Sequence, residues 1–113
     1  KEKNPDRVIV AYVNSTASVK ALSDVCVTSS NAEKIIRAYK DQKLLYVPDQ
    51  NLGNYMNDKY DMDMEVWPGF CCVHNDLTIF DVADMRKAHP NAEFIVHPEA
   101  KLEVVYGVTQ VVW

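Results

Sequence analysis

The feature that most constrains the fold is a regular alternation between short apolar segments and helical patterns. β-Branched apolar runs recur at a spacing of roughly 20 residues, with a helical pattern in each interval. Parallel strands need a long crossover connection, usually a helix, and right-handed crossovers place helices on both faces of the sheet. We therefore predict an α/β fold, a three-layer αβα sandwich with a mainly parallel sheet of about four to five strands. The predicted strands lie within residues 7–13, 25–28, 43–47, 64–73 and 93–96.

The intervening segments carry recognisable helix starts. Ser30 and Glu33 form one predicted capping box, and Thr78 and Asp81 form a second that begins a helix running to about residue 88. Further helices are predicted after Ser15 or Thr16, over residues 51–58, and from residue 101, where a helix or a helix turning into another strand extends to about residue 112.

Length and composition limit the classes of protein to consider. The 113 residues suffice for a single domain, predicted over 1–113, with one hydrophobic core. The formal charge of −4 argues against a nucleic-acid surface, and no apolar run approaches the ~20 residues of a membrane span. Residues 1–5 lack the apolar core of a signal peptide, and three cysteines, two of them adjacent, do not suggest a disulfide framework. We expect a cytoplasmic protein.

Polar or titratable groups follow every predicted strand. In an open α/β sheet, ligands collect outside the carboxyl ends of the strands, so these groups are candidates for one shared site. Plainer interpretations remain: Tyr12 as a core aromatic, Asn14 as a turn residue, Ser29 as a local backbone partner, and Asp49 as the start of a turn. The candidate groups are Tyr12, Asn14, Ser29, Asp49, Cys71, Cys72, His74, His97 and Glu99.

Residues 66–74 carry the strongest hint of metal chemistry. If this segment is extended, Cys71 and Cys72 point to opposite faces, so at most one of them faces the strand-end site. A Cys-x-x-His spacing also occurs in zinc sites, but no second pair at ligand spacing accompanies it. Cys26, in the middle of an apolar run, is predicted to be buried packing. His97 and Glu99 flank a proline, an arrangement suited to acid–base work but also common where strands end.

Five motifs extend over nearly the whole chain. They are YVNSTASVKA (12–21), SDVCVTSSNA (23–32), PDQNLG (48–53), WPGFCCVH (67–74) and VHPE (96–99). Together, and in this order, they resemble the motifs of one family, quinolinate synthase.

The resemblance implies an enzyme of NAD biosynthesis that condenses iminoaspartate with dihydroxyacetone phosphate. In this family three similar α/β domains surround a [4Fe–4S] cluster held by one cysteine from each domain, and this chain resembles the middle domain. Cys71 is then implied as the cluster ligand, with His74 close to the cluster. Tyr12, Asn14, Ser29 and His74 are implied to bind substrate, as are His97 and Glu99, and Glu99, His97 and Tyr12 are implied to be catalytic.

The resemblance also implies what this chain lacks. Two of the three cluster cysteines belong to domains outside it, so we expect an excised or partial piece that is inactive alone. The alternative is a non-catalytic, stand-alone α/β module used for binding or as a structural fragment.

Overall fold

The fold is built on a parallel β-sheet, as the alternating pattern predicts. A computed structural model describes residues 1–112, and Trp113, the last residue of the predicted 1–113 domain, lies outside the described residues. Within residues 1–112 the main sheet has four strands in the order β2-β1-β3-β4, all parallel. The α/β class and the parallel sheet are therefore confirmed. The strands are β1 (Val8–Tyr12), β2 (Val25–Val27), β3 (Leu44–Val47) and β4 (Glu65–Val66).

Helices follow the strands and cover the sheet unequally. One face carries the main core, to which α2, α3 and α6 contribute Ile36, Met56 and Val104 among others. The other face carries α1, where Val19 lies beside Ile9 of β1 at an apolar surface cleft. The helices are α1 (Ala17–Ala21), α2 (Ala32–Ala38), α3 (Gln50–Tyr60), α4 (Cys72–Asp76), α5 (Ile79–Ala88) and α6 (Leu102–Val105).

The fifth predicted strand does not join the main sheet. β5 (Ile95–Val96) pairs instead with β6 (Gln110–Val111) in a separate two-stranded parallel sheet. The segment from residue 101 is therefore a helix turning into a strand, the second of the two predicted alternatives. Apolar patterning predicts that a segment is extended but does not identify its pairing partner.

The sequence predicts a strand within residues 64–73 that is interrupted near Pro68 and Gly69, and the structure contains such a strand, Glu65–Val66, which ends before Pro68. β4 ends at Val66, Trp67 donates to the Tyr46 carbonyl at 2.9 Å, and an isolated parallel bridge further on pairs Gly69 with Asp49. Gly69 then passes so close to β3 that a Cβ atom at its position would lie 2.4 Å from the Pro48 carbonyl oxygen. Only glycine fits this approach, and the chain beyond it turns into α4 rather than continuing as a strand.

One predicted capping box is confirmed and the other is wrong. Thr78 and Asp81 cap α5 reciprocally. At α2 the cap residue is Asn31, whose side-chain oxygen accepts from the Thr28 amide at 2.7 Å, while Glu33 pairs with Arg37 at 3.2 Å. The sequence pattern is one residue out of register with the actual start of the helix.

Cys26 was predicted to be buried, and this is wrong. It is exposed, whereas its neighbour Val27 is fully buried. Because β2 is an edge strand, only the face that carries Val27 meets the core, and alternation directs Cys26 to the other face. Within residues 1–112, no helix is long and apolar enough to cross a membrane.

Candidate active site

A cleft of about 230 Å³ lies at the carboxyl edge of the main sheet. The loops that follow β1 and β3 form part of its wall, and the segments before α4 and α6 complete it. The strand-end rule therefore locates the cleft correctly. Its lining residues are Tyr12, Asn14, Pro48, Asp49, Phe70, Cys71 and Glu99.

Hydroxyl and amide groups gather at the end of β1. The Tyr12 hydroxyl lies 3.2 Å from the Ser29 hydroxyl, because the β1–β2 register pairs Tyr12 with Val27 and so brings the loop after β2 alongside. Ser15 donates to the Tyr12 carbonyl at 2.8 Å and so closes the turn that carries Asn14 to the cleft. These groups offer hydrogen-bond donors and acceptors to a bound polar molecule.

Asp49 is the main structural link of the site. It is buried, and its two carboxylate oxygens accept from different backbone amides, Leu52 at 2.8 Å and Cys71 at 3.0 Å. The first bond caps α3, and the second fixes the backbone at Cys71, 22 residues further along the chain. The sequence suggests that Asp49 starts a turn. An aspartate before a helical pattern also signals an N-cap, but the bond to Cys71 has no sequence signal.

Cys71 lies at the beginning of α4, and this helix start brings it together with His74. Cys71 is the N-cap residue, and residues three apart share one helix face. The segment is not extended at Cys72, so the condition under which the two cysteines would point to opposite faces of a strand is not met; of the two, Cys71 lines the cleft. Cys72 is exposed. Asn51, near the start of α3, donates to Asn75, near the end of α4, at 3.1 Å and so joins the two helices.

His74, His97 and Glu99 form a compact group beside Cys71. His74 Nδ1 lies 2.9 Å from Glu99 Oε2, without hydrogen-bond alignment, and the two imidazole rings stack with centroids 5.5 Å apart. His97 Nδ1 accepts from the Glu99 amide at 3.1 Å, which fixes the ring against its own backbone. Burial lowers the pKa of His97 and outweighs the opposing effect of Glu99. His97 therefore favours the neutral form, which can accept a proton.

The group has a donor set suited to metal coordination. One potential ligand atom from each of Cys71, His74 and Glu99 lies within 4.8 Å of the other two. All three residues are only partly exposed. Thiolate, imidazole and carboxylate are ligands that iron and zinc accept in proteins. Cys26 lies exposed at the sheet edge.

The seven predicted site residues thus meet at the cleft, four as lining residues and three through contact with a lining residue. Tyr12, Asn14, Cys71 and Glu99 line it, and His74 contacts Glu99. Ser29 is joined through Tyr12 and His97 through Glu99. Glu99 and His97 follow β5, which is not part of the main sheet. They reach the cleft although their strand does not share the edge on which the strand-end argument was based.

Known proteins resemble this chain along nearly its full extent. The family model described as quinolinate synthetase A protein (NadA) matches residues 1–112. Quinolinate synthase 2 of Methanosarcina acetivorans is 44% identical over 105 residues, which cover 93% of this chain and 34% of that protein. Quinolinate synthase of Caldicellulosiruptor saccharolyticus is 47% identical over 106 residues, 93% of this chain and 35% of that protein. The chain spans about a third of the length of these relatives. It belongs to the quinolinate synthase family.

Proposed function

We propose that this chain acts as one domain of a quinolinate synthase, with the arrangement of the family's middle domain. In that role it takes part in condensing iminoaspartate with dihydroxyacetone phosphate to quinolinate, a step of NAD biosynthesis. The observation that carries the proposal is the convergence of five separate motifs on one cleft, with a cysteine, a carboxylate and two imidazoles at one end and hydroxyl groups at the other. The other partners are the two remaining domains of the enzyme.

The residues present fit one corner of a [4Fe–4S] cluster. Cys71 lines the cleft, its backbone is fixed by buried Asp49, and the buried His74 Nδ1 has no aligned hydrogen-bond partner among residues 1–112. Cys71 would supply one thiolate ligand, and the other ligands would come from the two further domains. A cluster iron with an open coordination position supplies Lewis-acid polarisation of a substrate oxygen.

The polar end of the cleft would bind and orient substrate. The proposed substrates carry carboxylate or phosphate groups, which accept hydrogen bonds from hydroxyl and amide donors. The Tyr12 and Ser29 hydroxyls are 3.2 Å apart and either can donate to the other, so the accepting hydroxyl keeps its own proton to donate to a ligand. Asn14 adds an amide at the same end of the cleft. Tyr12 therefore serves both to bind substrate and to hold a proton near the reacting atoms.

Glu99 and His97 are the proposed proton-transfer groups. Condensation and dehydration require protons to be removed and returned, and a carboxylate beside a neutral imidazole can do both. Glu99 Oε2 lies 2.9 Å from His74 Nδ1 and 4.0 Å from His97 Nδ1, so the carboxylate and both imidazoles are close enough to act on the same substrate. The two imidazole rings are stacked with centroids 5.5 Å apart, which keeps the proposed proton-transfer groups in one compact cluster.

A single zinc ion is the competing use of the same donors. Cys71, His74 and Glu99 offer the thiolate, imidazole and carboxylate that zinc accepts, with an open fourth position. Cys72 is exposed and does not belong to this donor set. The carboxylate of Glu99 therefore takes the place that Cys72 would have in a zinc site formed by Cys71, Cys72 and His74.

Anaerobic reconstitution with iron and sulfide tests the proposal on the gene product that carries this sequence. We expect a coloured iron–sulfur protein that forms quinolinate, and we expect Cys71→Ala to abolish both. Cys72→Ala is the matched control, one residue away and exposed, and it should retain both. A colourless product, or a cluster that survives Cys71→Ala, contradicts the proposal. About one zinc per chain and no iron would support the zinc site instead.

The proposed location is the cytoplasm. The described cysteines are free thiols, and reducing conditions keep thiols and iron–sulfur clusters intact. Fractionation of cells that produce the protein, with detection by antibody, checks this expectation.

A further inference from the structure

Phe70 is a half-exposed aromatic side chain in the wall of the candidate cleft. It is 54% exposed, and it lines the cleft directly before Cys71. Single exposed apolar side chains are common on protein surfaces, so exposure by itself indicates no function. Phe70 differs from such a side chain in two respects, which are the composition of the wall around it and the way its backbone is held.

The wall of the cleft combines polar groups with an apolar surface. Among residues 1–112, Pro48 and Phe70 are the lining residues without a polar side-chain atom. The other lining residues carry hydroxyl, amide, carboxylate or thiol groups, and they are Tyr12, Asn14, Asp49, Cys71 and Glu99. Sites of this composition pack the apolar body of a ligand against the hydrocarbon surface and recognise its substituents with the polar groups. The cleft therefore suits a ligand that has an apolar face and polar substituents.

The backbone on both sides of Phe70 is held to the start of α3. On one side the Gly69 carbonyl accepts from the Gln50 amide at 2.7 Å, and Gly69 forms an isolated parallel bridge with Asp49. On the other side the Cys71 amide donates to Asp49 Oδ2 at 3.0 Å. The aromatic ring is thus attached to a fixed backbone, so little further ordering of the chain is needed when a ligand packs against it.

We propose that Phe70 is a specificity-determining residue, whose ring packs against the flat pyridine ring of quinolinate in the cleft. The inference rests on the proposed function for the identity of this ligand. Quinolinate is a planar aromatic ring with two adjacent carboxylates, which matches an aromatic surface beside hydroxyl and amide donors. Pairs of aromatic rings attract each other by more than their buried area accounts for. Neither substrate contains a ring, so Phe70 favours the ring-closed product over the open-chain compounds that precede it.

Calorimetric titration of the reconstituted gene product that carries this sequence tests the proposal. Phe70→Leu keeps an apolar side chain but removes the aromatic ring, and it should raise the Kd of quinolinate about three- to tenfold. Piperidine-2,3-dicarboxylate carries the same two carboxylates on a saturated ring, and its Kd should change less than about twofold. In kinetic assays the Ki of quinolinate as product inhibitor should rise by the same factor as its Kd. The KM of dihydroxyacetone phosphate should change less than about twofold, because this substrate has no ring.

Trp67→Leu is the matched control. Trp67 is 56% exposed and lies three residues before Phe70, but it lines the apolar surface cleft beside α1 instead of the candidate cleft. Its replacement should leave the Kd of both probes unchanged. Phe70→Tyr keeps the aromatic ring and should bind quinolinate within about twofold of the unaltered protein. Since neither aromatic side chain is buried, both leucine variants should fold, which their unfolding temperatures check.

The proposal is overturned if Phe70→Leu binds quinolinate as tightly as the unaltered protein, or if the unaltered protein binds none. It is also overturned if quinolinate and the saturated analogue weaken equally, or if Phe70→Leu loses its cluster, since either result would make Phe70 a support for the shape of the site. The proposed function fails separately. If the unaltered protein makes no quinolinate but binds it with this dependence on Phe70, the function is wrong and the role of Phe70 stands.

Discussion

Replacing Asp49 should damage both the fold and the reactivity of Cys71. In Asp49→Ala, the amide of Leu52 loses its cap and the amide of Cys71 loses its acceptor. Loss of a helix cap costs about 1 kcal/mol, and a hydrogen bond to a charged group contributes about 1.5–3 kcal/mol. Allowing for their shared carboxylate, we expect the free energy of unfolding to fall by about 2–4 kcal/mol. This is a large part of the 5–15 kcal/mol that is typical of a domain.

Two measurements on the gene product separate the structural effect from the effect at the site. Urea denaturation followed by circular dichroism gives the loss of stability. Alkylation of Cys71 in native buffer, followed on the Cys71 peptide by mass spectrometry so that cysteines elsewhere in the gene product do not interfere, reports whether its backbone is still held. We expect the rate to change several-fold in Asp49→Ala, because the N-cap segment before α4 is released.

Thr78→Ala is the matched control for this experiment. It removes the cap of α5, which is exposed, and should cost about 1 kcal/mol without altering Cys71 alkylation. Asp49→Asn should lose less stability than Asp49→Ala, since the asparagine side chain keeps one acceptor oxygen and loses the other. If Asp49→Ala is no less stable than Thr78→Ala, and Cys71 reacts as before, then the carboxylate does not link the helix start to the site.

Three further changes test other parts of the molecule. Gly69→Ala should lower the free energy of unfolding by about 2 kcal/mol or more in urea denaturation, since its Cβ would lie 2.4 Å from the Pro48 carbonyl oxygen; wild-type stability would show that the loop adjusts freely. The hydrogen bond from the Ile9 amide, and after it the hydrogen bond from Lys1, lowers the pKa of Asp24. The contribution of Asp24 to folding stability is therefore complete above its unfolded pKa and is lost as the pH falls through its folded pKa. Between pH 7 and below about pH 4, the thermal unfolding temperature should therefore fall more steeply with pH in the unaltered protein than in Asp24→Asn. Parallel curves of unfolding temperature against pH would contradict this. Glu99→Gln should lower turnover while leaving fold and cluster intact; loss of the cluster would instead give Glu99 a structural role.

The sequence predicts those features that depend on local pattern. The strands β1 and β3 and the helix α3 are where β-branched and helical periodicity indicate, because these elements bury a face determined by their own side chains. Pairing depends on tertiary contacts, and so β5 was assigned to the wrong sheet. The exposure of Cys26 follows from the edge position of β2, which the chain order does not reveal.

In the candidate active site, too, local pattern is predictable from the sequence and tertiary contact is not. A residue type can be recognised as a candidate ligand or base, but whether it meets its partners depends on the backbone between them. The sequence places Cys71 and His74 just after the fourth strand, and they meet because they begin a helix, whose three-residue spacing puts both on one face. Had the strand continued, alternation would have placed residues three apart on opposite faces and separated the thiol from the imidazole. The chain stops being a strand where Gly69 presses against Pro48, and the buried Asp49 then captures the Cys71 amide. Two residues without catalytic chemistry of their own, Gly69 and Asp49, therefore determine which of the adjacent cysteines reaches the cleft.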